Sequence, residues 1–201
     1  RFHPVIEQMR KLLKGREILH ARIVCSSYLH SWRQIKKKKE LMNYSYYAKQ
    51  GGGVLLDVSH EFDYVRYLFG DIIDIYGRYG RMHTITIDAE DFADVLLQTK
   101  RKVLVNLHLN FNSLYEERRI IVNFTDGYII GDLIANTTTV CRKKKVINRK
   151  YNDSRDMVLL KQMRYFFNNI GNKHIMNDIN ESSKTLGTIL EFKKWKGKKY
   201  L

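Results

Sequence analysis

The chain has 201 residues, 44% of them apolar, one proline, and a formal net charge of +15 from 36 Lys and Arg against 21 Asp and Glu. That composition is globular rather than disordered or fibrous, and the length suits a single domain, residues 1–201. No apolar run reaches the ~18 residues that cross a bilayer, no secretory leader opens the sequence, and Cys25 and Cys141 have no paired spacing for a disulfide framework or zinc.

Two isolated thiols and no leader set the expectation of a reduced, cytoplasmic setting without a membrane partner. The positive charge is clumped at Lys36 to Lys39, Arg142 to Lys145 and Lys193 to Lys199. Such clusters attract polyanions. Lysine runs are more often solvated surface, and zinc-finger spacing, a GxxG clamp and ribonucleoprotein aromatics are all missing. Nucleic acid is therefore not the expected partner.

Arg1 to Lys14 reads as an amphipathic helix with Val5, Ile6, Met9, Leu12 and Leu13 on its apolar stripe, Pro4 in the first turn and Gly15 past the end. Ile18 to Tyr28 reads as a strand with Ile23 and Cys25 on one face. Residues 29 to 50 have no period and read as a long surface excursion of the kind that often carries function. A helix follows from Val58 to Phe69, with Phe62, Val65, Leu68 and Phe69 toward the core and Gly70 as its stop. Strands are expected over 72 to 82, 91 to 99 and 103 to 111. The last alternates Val103, Val105, Leu107, Leu109 and Phe111 against Asn106, His108 and Asn110, the signature of a sheet with one buried and one polar face. Asp126-Gly127 joins two strands, 117 to 124 and 128 to 133, as a hairpin. One further strand is expected over 138 to 148, then two helices, about 157 to 170 and 179 to 190. The sum is an α+β fold: one large, mostly antiparallel open sheet with helices packed on one face.

Residues 51 to 70, GGGVLLDVSHEFDYVRYLFG, carry the chemistry. Three glycines permit positive φ and close backbone approach. Asp57 and His60, three residues apart at a helix entrance, can share a face. Asp57 can cap the helix, and a first-turn imidazole near the positive end of the helix dipole is disposed to take a proton, while Asp57 favours its charged form. Tyr64 lies one turn beyond His60. The same spacing also fits a capping aspartate beside a histidine with no chemical role. The glycines do not make a dinucleotide fingerprint or a P-loop, because the spacing and the GK[ST] are absent. His60, His83 and His108 lack paired-ligand spacing, so no metal is expected.

This segment resembles the start of the second domain of the glucose-fructose oxidoreductase, inositol dehydrogenase and MocA family (Gfo/Idh/MocA). RFHPVIEQMRKLL is similar to the family's connection out of its first domain. EDFADVLLQTKRKVLVNLHLNF and ERRIIVNFTDGYIIGDL resemble its later strands. The resemblance implies a C-terminal domain with a dihydrodipicolinate-reductase-like open sheet, lacking the N-terminal dinucleotide-binding domain. It implies an oxidoreductase that acts, in its complete form, on a sugar, inositol or sugar nucleotide with NAD or NADP, no cofactor being held by this chain alone. Asp57 and His60 then match the family's carboxylate and histidine that bind substrate and move its hydroxyl proton. The family separates the two by four residues and this chain by three, whereas the step of three from His60 to Asp63 is kept. Asp63, Tyr64 and, from the SWR…NYSYYAKQ segment, Arg33, Tyr46 and Lys49 become substrate-lining expectations. Self-association through the open sheet face is implied too. The other reading is a non-catalytic, homo-oligomeric interaction module whose basic surface binds an acidic partner.

Overall fold

The computed structural model describes residues 1–32, 43–172 and 175–200. Arg33 and the Lys36 to Lys39 run lie outside the described residues. Helix α1, Pro4–Leu13, starts where His3 caps it: the imidazole Nδ1 accepts the Val5 N–H at 3.3 Å, and Pro4 fills the first turn, where its missing donor costs nothing. It ends before Gly15, which takes φ +73. Strand β1, Ile18–Tyr28, runs into a short helix α2, Leu29–Trp32.

A one-turn helix α3, Val54–Asp57, precedes α4, His60–Phe69. The helix expected from Val58 to Phe69 thus begins at His60, and a separate turn of helix that was not expected, Val54–Asp57, precedes it across Val58-Ser59. Val58 closes α3, with its N–H reaching the Val54 carbonyl, and Ser59 leads into α4 with no side-chain cap. Phe62, Val65, Leu68 and Phe69 are all buried, as the apolar spacing requires.

Strands β2, Ile72–Gly80, β3, Phe92–Thr99, β4, Leu104–Asn110, β5, Asn112–Phe124, and β6, Gly127–Asp132, follow the sequence pattern closely. The expected strand over 138 to 148 is instead a hairpin of β7, Thr137–Arg142, and β8, Lys145–Lys150. Its turn residues Lys143 and Lys144 both take positive φ, 45° and 65°. Helices α5, Arg155–Asn168, and α6, Ile179–Glu191, are capped by Ser154 and Asp178. A short β9, Gly197–Tyr200, ends the described chain.

The nine strands form one sheet in the order β8-β7-β6-β5-β1-β4-β3-β2-β9. Among the described residues, only β1–β4 and β2–β9 pair in parallel. Helices cover one face. The core-facing row of β1, Ala21, Ile23 and Cys25, lies between Val105, Leu107 and Leu109 of β4 and Val122, Ile120 and Arg118 of β5. Gly131 on β6 lets α1 lie close, since a Cβ there would meet Met9 Sδ at 2.5 Å. The opposite face carries Asp94, Leu96, Asn106, His108 and Asn110 and is open, with Tyr76, Leu96 and Leu104 each more than half exposed.

Two buried polar ties hold the helical layer together. Arg66, on α4, donates to the Glu181 carbonyl, Glu181 Oε2, Thr185 Oγ1 and Asp71 Oδ1 at 2.6–2.9 Å, anchoring α6. Lys193 donates to both oxygens of buried Glu90. Buried arginines are tolerated when every donor finds a partner, as Arg66's arrangement approaches.

Candidate functional site

Two of the three glycines explain why the site sits where it does. A Cβ on Gly52 would stand 2.3 Å from the Tyr44 carbonyl oxygen, and one on Gly53, at φ +100, 2.6 Å from the Glu90 carboxylate carbon. Only glycine lets the chain run this close to residues 44–45 and to Glu90. The Gly53 N–H then reaches the Ser45 carbonyl at 3.1 Å and the Val54 N–H reaches the Glu90 carbonyl at 2.8 Å. Helix α3 is thereby seated against β3 and β4, and α4 follows with Glu61 turned to Arg118 of β5.

Their entrances open on a cleft of about 1580 Å³. Asp57, His60, Asp63 and Tyr64 line it on one side, with Tyr44, Cys25, Ser26 and Arg118 beside them. Val158, Leu159 and Phe166 of α5, with Ile170 just past its end, line it on the other.

The break at Val58-Ser59 separates the aspartate from the histidine by element. Asp57 does not cap α4; it belongs to α3, and its Oδ1 accepts the Tyr44 hydroxyl at 2.5 Å. His60 is the first residue of α4, with 43% of its side chain exposed to the cleft. Its Nε2 lies 3.2 Å from Oε1 of Glu61, a side chain with no exposure at all. Onto that same oxygen Arg118 directs Nε at 2.8 Å and Nη2 at 2.7 Å. Arg118 Nη2 also donates to the Tyr64 hydroxyl at 3.0 Å, and the rings of His60 and Tyr64 meet edge to face at 6.0 Å.

The electrostatics follow from that packing. Burial pushes the Glu61 carboxyl up, but Arg118 and His60 outweigh it and hold it below the ordinary range. Burial opposes the charged form of Arg118, yet Glu61 raises its hold on the proton overall. Tyr64 is pushed up to about 12, chiefly by burial, against the pull of Arg118. Cys25, cross-strand partner of Arg118, is driven well up by burial and by the negative charge of Glu61. At neutral pH the cluster is therefore a carboxylate, a guanidinium, a phenol and a thiol.

The ligand atoms of Cys25, His60 and Glu61 all lie within 4.8 Å of one another. Arg118 already engages the Glu61 oxygen that faces His60, so this carboxylate is held in an ion pair.

Of the remaining expected residues, Asp63 lines the cleft but is engaged by Arg1, and Tyr46 and Lys49 fall elsewhere. Asp63 holds Arg1 through both carboxylate oxygens. Tyr46 is 2% exposed, its ring set edge-on to His30 at 5.8 Å, and Lys49 is exposed in a short 3₁₀ turn, Ala48–Gln50. Neither lines the cleft. Glu61 and Arg118 were not among the expected residues. Their signal was present: Glu61 shares the stripe of Val65 and Leu68 on α4, and Arg118 alternates with Ile120, Val122 and Phe124 on the core face of β5. A charge on a buried face demands a partner.

The sequence model of the GFO/IDH/MocA C-terminal domain matches residues 6–130, more than half of the chain. The chain belongs to the Gfo/Idh/MocA family. A sequence search of curated proteins finds no match. Among solved structures, the Gfo/Idh/MocA chain is similar to levoglucosan dehydrogenase in complex with NADH (TM-score 0.77, 14% identity, covering 95% of this chain and 61% of that one). It is similar to an oxidoreductase from Agrobacterium radiobacter in complex with NAD+, L-tartaric acid and magnesium (TM-score 0.76, 16% identity, 94% and 58%). It is also similar to UDP-N-acetylglucosamine 3-dehydrogenase from Acidithiobacillus ferrooxidans (TM-score 0.71, 17% identity, 94% and 56%). These likenesses establish the fold, an open-sheet C-terminal domain, and the chain spans less than two thirds of each of those proteins. No helix among the described residues is long and apolar enough to cross a membrane.

The glycines at 51–53 do not form a dinucleotide-binding turn. Pyrophosphate binding in this chemistry uses a glycine turn between a strand and a full helix. Here the glycines follow a 3₁₀ turn and lead into a helix of four residues.

Proposed function

We propose that this chain is the substrate-binding and assembly domain of an NAD(P)-dependent oxidoreductase acting on a sugar, inositol or sugar nucleotide. The observation that carries it is the gathering of His60, Asp57, Tyr64 and Arg118 on one wall of a single large cleft. A polyol needs a mixed set of donors and acceptors for its hydroxyls, and that wall offers an imidazole, a carboxylate, a phenol and a guanidinium. His60 takes or returns the proton of the reacting hydroxyl. Asp57, steadied by Tyr44, orients a hydroxyl or supports the imidazolium.

Helix α5, which walls the other side of the cleft, supports the placement of a cofactor-bearing unit beside it through an exposed apolar face only partly turned to the cleft. No residue of α5 is buried, and Met157, Leu160, Met163, Phe166, Phe167 and Ile170 are each roughly half exposed or more. An apolar helix face of this extent marks an interface. The open sheet face, with Tyr76, Leu96 and Leu104, is the surface through which the domain pairs with its own copies.

The test is turnover in an enzyme that joins this chain to a dinucleotide-binding domain, screened over sugars, inositols and sugar nucleotides. His60→Ala lowers kcat by about 10²–10⁴-fold, the usual worth of a general base. Undiminished turnover in that variant rejects the role of His60.

A second reading, a module that binds an acidic partner, draws on β8, where all six residues are exposed, with Lys145 next to the Lys143-Lys144 turn and Arg149 and Lys150 at the strand's other end. Binding through these charges weakens steeply with salt, whereas sugar turnover does not require them.

A further inference from the structure

Glu61 is an unusual residue to find where it is. A carboxylate with no exposed surface is costly unless its charge is met, and the cost is borne here for one oxygen only. Oε1 is approached by three nitrogens, two from Arg118 and one from His60, while Oε2 has no hydrogen-bond partner among the described residues. A group that served merely to neutralise Arg118 would use both oxygens in the parallel fork that guanidinium and carboxylate prefer. Arg118 instead directs Nε and Nη2 to the oxygen that also faces the imidazole.

The charge at that contact biases the ring. At 3.2 Å the two groups stand at ion-pair distance and not in an aligned hydrogen bond, and a carboxylate that can only accept favours hydrogen on the nitrogen that faces it. Nε2 is that nitrogen, and in the neutral ring Nδ1 then holds the lone pair. A buried carboxylate that selects one imidazole tautomer and stabilises the cation formed on proton uptake is the third member of the nucleophile–histidine–carboxylate arrangement, a role set by geometry and not by chain order.

We propose that Glu61 is the positioning residue of His60: its buried carboxylate, clamped by Arg118, selects the Nε2–H form of the imidazole and leaves Nδ1 to take the proton of a substrate hydroxyl. This rests on the reading of His60 given above. Tyr64 completes the clamp, since its hydroxyl accepts the second hydrogen bond of Arg118 Nη2 and its ring walls the imidazole. Glu61 touches no substrate; it acts through His60. Proton uptake converts neutral His60 to imidazolium against a fixed negative charge, and return of the proton restores the Nε2–H form, so the cycle balances with no further reactant.

The experiment reads the ring directly, without turnover. In the 201-residue chain at pH 8, long-range ¹H–¹⁵N spectra of the histidine rings, with His60 assigned by its loss in His60→Ala, show a protonated Nε2 and an unprotonated Nδ1. In Glu61→Gln the amide oxygen turns to Arg118 and its NH₂ to the ring, and the His60 signals move toward the Nδ1–H form or an even mixture. Should Glu61→Gln not fold, the double variant Glu61→Gln/Arg118→Met removes both charges together and gives the same loss of preference. An Nδ1–H ring in the wild type, or an unchanged ring in the folded variant, overturns the proposal. In the enzyme carrying a dinucleotide-binding domain, Glu61→Gln lowers kcat by about 10²-fold with KM changed less than threefold, a split that altered packing alone does not produce. Full turnover in Glu61→Gln beside a dead His60→Ala also overturns it. Full turnover in His60→Ala overturns the reading of His60 and leaves the tautomer result to speak for Glu61.

Discussion

Arg1 holds Asp63 with a two-pronged grip, Nε to Oδ2 at 2.8 Å and Nη2 to Oδ1 at 2.6 Å, across a sequence separation of 62. The side chains are only 10% and 16% exposed, and the guanidinium also lies over the Tyr67 ring at 4.9 Å. The pair fastens the start of the chain to α4, one turn past His60. Because both groups are largely out of water, losing one strands the other. Asp63→Asn therefore lowers the free energy of unfolding by about 1–2 kcal/mol, below the full cost of breaking a wholly buried pair. Urea denaturation measures it. A raised KM with unchanged stability would instead make Asp63 a substrate ligand.

A second prediction concerns acid. His3 uses both ring nitrogens in its neutral form: Nδ1 accepts from Val5 N–H and Nε2 faces the Leu133 carbonyl at 3.2 Å. Burial, with help from Arg118, lowers its pKa to about 4, despite the carbonyl's opposite pull. The unfolded chain, with an ordinary histidine near 6.5, binds more protons throughout that window, so unfolding becomes easier as pH falls from 6.5 to 4 and the term is constant below. The loss reaches about 1–2 kcal/mol once partial exposure is discounted. His3→Asn keeps a capping side chain and should flatten this part of the urea-midpoint profile. A profile of unchanged slope in that variant would assign the acid sensitivity elsewhere.

A third prediction addresses assembly. On the open face Leu96 stands between Tyr76 and Asn106 in cross-strand register. At 58% exposure it contributes little to the fold of the isolated chain. Leu96→Lys should convert a self-associated species to monomer in sedimentation velocity while shifting the unfolding free energy by less than about 0.5 kcal/mol. An oligomer that persists in Leu96→Lys rejects assembly through this face.

The parts legible in the sequence were those where one local signal sufficed. Pro4 and Gly15 bracket α1, alternation from Val103 to Phe111 marks β4, and Asp126-Gly127 marks the β5–β6 turn. Two breaks were hidden because the residues at them are poor punctuation. Val58-Ser59 interrupts a helical period with neither glycine nor proline. Lys143-Lys144 makes a left-handed turn that Asn-Gly usually makes, at a cost of about 1–2 kcal/mol per non-glycine residue. The site divides in the same way. Asp57 and His60 stood out by their place after the glycines, whereas the contact of Glu61 with Arg118 joins residues on α4 and β5, and no local pattern connects them. The two buried-face charges were visible singly; their meeting was a fact of topology.

The place of β1 sets a timetable for the molecule. It is synthesised before both of its neighbours, β4 and β5, which come from residues 104 to 124. Ile23 waits with its backbone donors and acceptors unclaimed until Leu107 and Ile120 have been synthesised. Non-local pairing of this kind slows folding and leaves sticky intermediates. Nascent chains halted before residue 104 would carry an unclaimed apolar strand, making them natural clients for the chaperones that attend translation.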